Sequence, residues 1–270
     1  MTINRRIVIC RPLAKAQELV MNLSLNGIES YSEPLISISI GRDIDLIETE
    51  LLSLTADSLV FLLSPNIFYY SNALPRLEAL RITRAFKDCL GNYFAIGQST
   101  ASKFLQLTQK NAYYPDGREI SENLIKLPIL ETVIKECNNL KKQALIIRGN
   151  SGRNIISDYL TKRGLVVKEL ESYSRIPINF NQTNIEEHVT FGGICLFIVT
   201  SGEILSLLTK GILKMIGGAE YIKTHEIMVV SERLVNLAIQ SGWKNIFLST
   251  NANNEDITNT IIEIVKDGTN

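Results

Sequence analysis

The 270-residue sequence repeats itself. Arg11 is matched by Arg148, Gly27 by Gly164 and Ser64 by Ser201, each pair 137 positions apart. The tetrapeptide Glu29-Ser30-Tyr31-Ser32 returns as Glu171-Ser172-Tyr173-Ser174 at an offset of 142, five more, a difference that one longer strand or a bulge absorbs. Glu122 and Glu255, ahead of the last helix of each half, are 133 apart. Different residue types in one register, with elements in the same order, indicate an internal duplication. Such a chain folds as two similar lobes rather than one large sheet.

The elements within each half alternate. Short apolar runs such as Ser58–Leu63, Tyr93–Ile96, Ala144–Ile147 and Gly193–Val199 read as strands buried on both faces of a parallel sheet. Between them lie helical patterns such as Leu13–Asn26, Asp43–Leu54, Ala101–Lys110 and Ile155–Lys162, with Gly27 and Gly164 as natural C-terminal stops. Ser121 opens a helix expected to run past Leu130 toward Cys137, Tyr113-Tyr114 reads as a short strand, and the last helix covers Asn254–Val265. The order predicts an α/β protein built on parallel sheets. On the residues alone, two contiguous lobes divided near residue 138 also satisfy the pattern.

Composition narrows the function classes. Lys and Arg together number 28, equal to Asp and Glu, so no overall field draws nucleic acid or an anionic membrane. Cys10, Cys89, Cys137 and Cys195 show no CxxC spacing and read as buried thiols of a reducing compartment. The N-terminus passes straight into a strand without a signal-peptide pattern, and no apolar run approaches the ~18 residues of a membrane span. A cytoplasmic protein is expected.

In open α/β sheets ligands bind beyond the carboxyl ends of the strands. Arg11, Ser64, Thr100, Arg148, Ser201 and Ser231 stand there, each just before a helix. Helix N-termini bind carboxylates or phosphates without net basic charge, so a neutral chain with several such ends suits a polyanion. No GxGxxG, P-loop or Gly-x-Ser-x-Gly elbow is present, and His188 and His225 fall in expected loops without a Cys or carboxylate at ligand spacing. Catalysis without a cofactor or strong base remains. A non-catalytic two-lobed binding or sensor protein for a small anion fits the same residues.

Ordered motifs run through the chain: Arg11-Pro12, Phe61-Leu62-Leu63-Ser64-Pro65-Asn66, Gly97-Gln98-Ser99-Thr100-Ala101 and Ser121-Glu122-Asn123-Leu124. Arg148-Gly149-Asn150-x-Gly152-Arg153, Tyr173-Ser174-Arg175, Thr200-Ser201-Gly202 and Gly242-Trp243 continue the series. In this order they resemble the uroporphyrinogen-III synthase family over essentially the whole length. The resemblance implies two flavodoxin-like lobes joined by a two-stranded linker, residues 1–36 with 176–270 and residues 37–175. It implies cyclisation of hydroxymethylbilane, a linear tetrapyrrole with eight carboxylates, to uroporphyrinogen III in the interlobe cleft. The D ring inverts through a spiro intermediate and water is lost, in heme biosynthesis, with no metal or organic cofactor. A monomer with transient contact to the preceding pathway enzyme is expected, and no nucleic-acid or membrane partner.

That reaction needs mainly positioning, with help from one proton donor at the departing hydroxyl. Tyr173 matches the family's tyrosine in a Tyr-x-Thr-like motif and is the candidate donor; its other reading is a strand tyrosine packing against the linker. Arg175 stands where the motif has threonine. Ser64, Thr100, Ser201 and Ser231 match positions facing the cleft and also read as plain helix caps. Arg11, Arg148 and Arg153 are candidates to pair with acetate or propionate groups. Asn66 follows Ser-Pro where many members carry an arginine.

Overall fold

A computed structural model describes residues 4–117, 119–135, 142–178 and 184–267. The chain begins with β1 (Arg5–Ile9), α1 (Leu13–Leu25), β2 (Ser30–Ser32), β3 (Ile36–Ile40), α2 (Ile44–Leu52) and β4 (Leu59–Leu62). A 3-10 turn (Pro65–Phe68), α3 (Tyr70–Ala73), α4 (Arg76–Asp88), β5 (Asn92–Ala95), α5 (Gln98–Thr108), α6 (Ser121–Leu124) and α7 (Pro128–Lys135) complete the first half. The second half opens with β6 (Gln143–Gly149), α8 (Ile155–Lys162), β7 (Val166–Pro177), α9 (Ile185–Val189) and β8 (Ile194–Ile198). It ends with α10 (Gly202–Leu213), α11 (Gly218–Thr224), β9 (Glu226–Val229), α12 (Glu232–Gln240), β10 (Asn245–Leu248) and α13 (Asn254–Asp267).

One sheet has the order β2-β1-β8-β9-β10, the other β3-β7-β6-β4-β5, and a parallel bridge from Phe94 to Tyr113 extends the second past β5. By the 137-residue offset, β6 and β7 are the copies of β1 and β2, while β8 is the copy of β4. The first sheet therefore follows the doubly wound order 2-1-3-4-5 of flavodoxin-like folds, and the second repeats 2-1-3-4 in β7-β6-β4-β5, with the Tyr113 bridge in fifth place and β3 added beside β7. Each takes its first two strands from one sequence half and the rest from the other. The chain forms two compact units, Met1–Ser37 with Ile176–Asn270, and Ile38–Arg175.

Within each unit the sheet is buried on both faces. Val60 and Leu62 of β4 point into one core with Phe68, Phe86 and Phe104, while Leu59 and Phe61 point into the other with Leu124, Leu130 and Leu160. β8 does the same, Cys195 and Phe197 on one side and Leu196 and Ile198 on the other. Full burial of one such aliphatic or aromatic side chain stabilises by roughly 1.5–3 kcal/mol. Gly27 and Gly164, equivalent in the duplication, both follow a helix with positive φ, 72° and 81°. A left-handed backbone there costs a side chain about 1–2 kcal/mol, which explains a glycine in both copies.

Several expectations are corrected. The helix expected past Leu130 is two helices, because Pro128 lacks the amide to continue and starts α7 afresh; Cys137 lies outside the described residues. Tyr113-Tyr114 forms only the bridge to Phe94. β3 went unread although Ile36-Ser-Ile-Ser-Ile40 alternates with the strand period of two. The two histidines are buried side chains, His188 in α9 and His225 at the end of α11. Among the described residues no helix is long and apolar enough to cross a membrane. Cys10, Cys89 and Cys195 are free and buried, and burial pushes the Cys195 thiol up to about 12.

His225 gives a pH prediction. Its Nδ1 accepts the Cys195 amide at 3.2 Å and its Nε2 contacts the Val189 carbonyl at 3.1 Å, which fits the neutral ring with the proton on Nε2. Burial holds this imidazole below its ordinary range, against the opposing pulls of the Val189 carbonyl and Glu226. Below about pH 6.5 the unfolded chain takes up a proton that the folded chain refuses, so stability is present above that pH and lost as pH falls. Thermal midpoints measured from about pH 7.5 down to 5.5 should fall, and less steeply in His225→Gln. Equal slopes in the two proteins would assign the loss to other groups.

Candidate active site

The unit formed by Ile38–Arg175 has a pocket at the carboxyl ends of its strands, with a volume of about 180 Å3. Leu63 follows β4, Ile96 follows β5, and Arg148 and Gly149 end β6. Tyr173 of β7 closes it with Ser151, Gly152, Arg153, Glu119 and Ser121. This is the topological switch point of a doubly wound sheet, where β6 and β4 carry their helices in opposite directions.

The register of β7 delivers Tyr173 to this place. In the other unit Tyr31 pairs with Val8, in the middle of β1. Tyr173 pairs with Gly149, whose equivalent by the common offset is residue 12, four positions beyond Val8. Between Arg148↔Glu171 and Gly149↔Tyr173 the register shifts, leaving Ser172 as one extra residue. Four residues of added strand and one bulge residue make up the five by which the two tetrapeptides are out of step. The bulge also re-aims the side chain that follows it.

Tyr173 is 4% exposed, with its ring against the backbone of Gly149. A Cβ on Gly149 would lie 2.5 Å from Cζ and 2.9 Å from the hydroxyl oxygen. The hydroxyl makes no hydrogen bond among the described residues, and Tyr173 lines the pocket. Asn150 fixes the strand beyond it: its Oδ1 accepts the Arg175 amide at 2.9 Å and its Nδ2 donates to the Arg175 carbonyl at 3.1 Å. The position that carries threonine in the Tyr-x-Thr-like motif is thus held through its backbone.

Both pocket arginines have carboxylate partners. Arg148 donates to Glu169 at 2.9 Å and to Asn154 at 3.2 Å, and its Nη2 lies over Gly152. Arg153 pairs bidentately with Glu122, through Nη1 and, at 2.9 Å, Nη2, and those bonds hold the Glu122 carboxyl below its ordinary range. The Arg153 side chain is 61% exposed, so exchanging Glu122 for another carboxylate costs little. Glu119 accepts the Ser99 amide and the Ser99 hydroxyl, both at 3.1 Å, at the start of α5. A carboxylate therefore already sits at one helix N-terminus on the pocket rim.

The other expected residues divide between the units. Ser64, at the 3-10 turn, accepts the Asn66 amide at 3.1 Å; Asn66 itself is half-buried beside it. Thr100, in the first turn of α5, is fully buried, and its hydroxyl has no hydrogen-bond partner among the described residues. None of these three lines the pocket. In the other unit Ser201 caps α10 by accepting the Ile204 amide at 3.2 Å, and Ser231 caps α12 by accepting the Leu234 amide at 3.4 Å. Arg11 is 6% exposed and donates to Asn254 at 2.6 Å and to the Ala252 carbonyl at 3.1 Å. Its guanidinium ties down the loop before α13 through Nη1 and Nη2, while Nε has no hydrogen-bond partner among the described residues.

Glu119 went unread as a pocket residue, although Ser121 two positions later reads as a helix opening. Among the described residues no three His, Cys, Asp or Glu side chains come together as a metal site.

Comparison with known proteins follows the same outline. The family model described as Uroporphyrinogen-III synthase HemD matches residues 17–259. The uroporphyrinogen-III synthase of Escherichia coli (strain K12) is 32% identical over 254 residues, covering 92% of this chain and 96% of that protein. That of Salmonella typhimurium is 32% identical over 249 residues with the same coverage. Among solved structures, a mutant uroporphyrinogen III synthase from Thermus thermophilus superposes with a TM-score of 0.61 at 12% identity, covering 97% of this chain and 98% of that one. A uroporphyrinogen-III synthetase from Helicobacter pylori gives 0.55 at 12% identity, over 96% and 99%. These two structures share the fold.

Proposed function

The chain belongs to the uroporphyrinogen-III synthase family, and from that premise we propose that it closes hydroxymethylbilane to uroporphyrinogen III with Tyr173 as the proton donor. The observation that carries the assignment of Tyr173 is that it lines a pocket at the strand carboxyl ends while its hydroxyl makes no hydrogen bond among the described residues. As the terminal C–O bond breaks, the adjacent pyrrole nitrogen supplies the electron pair and Tyr173 the proton, so the hydroxyl departs as water. Ring D then attacks through its substituted carbon to give the spiro intermediate. The bond from that carbon to the methylene of ring C then breaks, the methylene rejoins ring D at its free α-carbon, and the proton lost from that carbon restores the tyrosine, so that the balance is the loss of one water. Holding ring D in that pose is the larger task, since effective molarities of oriented groups reach about 10⁵–10⁸ M.

The carboxylates of the substrate need cations or helix N-termini. Arg153 and Arg148 are the proposed cationic partners, and the Ser99 amide that Glu119 now holds illustrates how a substrate acetate or propionate is received. Ser64, Asn66 and Thr100 supply further polar groups at the same carboxyl edge, and Ser201 and Ser231 do so in the other unit. Free, buried Cys10, Cys89 and Cys195 suit a reducing, cytoplasmic setting. A monomer that receives its unstable substrate from the preceding enzyme completes the reading.

Incubation with hydroxymethylbilane, followed by oxidation and separation of isomers, tests it. Isomer III should dominate; isomer I alone, at the uncatalysed rate, would refute the activity. Arg153→Gln should raise KM about tenfold and leave kcat within about twofold, since a charge-assisted bond contributes about 1.5–3 kcal/mol to binding. The thermal midpoint should hardly move, because the pair with Glu122 is a surface one. An unchanged KM would remove Arg153 from the binding set.

A further inference from the structure

Tyr173 enters the pocket because Ser172 is an extra residue in β7, and that bulge is gripped from the side of α2. Asp43 Oδ2 accepts the Glu171 amide at 2.9 Å, and the Asp43 amide donates to the Glu171 carbonyl at 3.1 Å. The Gly41 amide donates to the carbonyl of Ser172 itself, also at 3.1 Å. On the other side Ser172 is fully buried and its hydroxyl donates to the Arg148 carbonyl at 3.3 Å. The contact is close: a Cβ on Gly41 would run into the Glu171 carbonyl oxygen and come within 2.5 Å of the Tyr173 nitrogen.

Asp43 breaks a local rule to do this. It stands at the N-cap of α2, where an aspartate ordinarily accepts an amide of its own first turn, yet it makes no such bond. Its carboxylate reaches instead across 128 positions of sequence to the residue before the bulge. Residues that forgo a local preference for a distant contact are expected where function sets the geometry. Arg42 lies 3.2 Å from the same carboxylate, but its side chain is 76% exposed and contributes little to the hold. In the other unit the equivalent tetrapeptide pairs with β1 in continuous register, and Tyr31 donates to Glu29 at 2.7 Å.

We propose that Asp43 is a positioning residue for the reaction, fixing the Ser172 bulge so that the Tyr173 hydroxyl stands in the pocket. The inference rests on the reading of Tyr173 as proton donor. A misplacement of about 1 Å costs up to ~100-fold in rate, so loss of the acceptor should be visible in kcat.

Four proteins decide it: Asp43→Ala, Asp43→Asn, Tyr173→Phe, and Asp43→Ala combined with Tyr173→Phe, each assayed for kcat and KM on hydroxymethylbilane. Asp43→Ala should lower kcat about tenfold or more with KM within about twofold, and Asp43→Asn, which keeps an acceptor oxygen, should stay within about threefold of the parent. In the Tyr173→Phe background, Asp43→Ala should change kcat by less than about twofold, because both changes remove the same hydroxyl from its place. Equal losses from Asp43→Ala in both backgrounds, or none in the parent, would overturn the proposal. If Asp43→Ala does not fold, Asp43→Asn still tests it, since a loss there as large as that of Tyr173→Phe would contradict a role through the acceptor. Full activity of Tyr173→Phe would instead overturn the donor assignment itself.

Discussion

Tyr173→Phe should lower kcat about 100-fold, the lower end of what a general acid contributes, with KM nearly unchanged. The phenyl ring keeps the contact with Gly149 and the core partners that Tyr173 has, so only the hydroxyl is lost. That hydroxyl is unbonded among the described residues, so no buried partner is left unsatisfied and the thermal midpoint should stay within about 2 °C. A rise in KM with kcat unchanged would mean instead that the hydroxyl binds substrate in the ground state. Isomer ratio is a second readout: slower enzymatic closure lets spontaneous closure to isomer I compete.

Gly149→Ala should be at least as damaging to turnover and should also destabilise. The new methyl would lie 2.5 Å from Cζ and 2.8 Å from Cε2 of Tyr173. Gly149 is a strand residue paired with Tyr173, so its backbone has little freedom to yield. The ring must move, and it belongs to the core that holds Leu62, Ile147 and Leu170. Overpacking of this kind costs typically about 1–3 kcal/mol, and the hydroxyl is displaced as well. We therefore expect kcat down about 100-fold or more and a midpoint lowered by several degrees, read by steady-state assay and calorimetry. Unchanged kcat would show that the ring can turn without cost to the reaction.

What could be read in the sequence was what is decided locally or by periodicity. The buried strands showed as apolar runs because each sheet is covered on both faces. Ser64, Ser201 and Ser231 showed as helix openings because a cap bonds an amide two or three residues on. The duplication exposed the pairing of Gly27 with Gly164. Contacts between distant parts of the chain were hidden. The partners of Arg11 are more than 240 residues away in the loop before α13 and gave no signal. Glu119 gave no signal because its meeting with Ser99 depends on how the chain returns from α5. The five-residue mismatch between the tetrapeptides was visible, but only strand register shows that it moves Tyr173 from mid-strand to the pocket.

That displacement sets apart two copies of one tetrapeptide, and we propose that only the copy carried to the end of β6 acts on substrate. Formation of uroporphyrinogen III by Tyr31→Phe and Tyr173→Phe, measured side by side under single-turnover conditions, tests this most directly. The rate should stay within about twofold of the parent for Tyr31→Phe and fall about 100-fold for Tyr173→Phe. Equal rates in the two variants, or the greater loss in Tyr31→Phe, would contradict it.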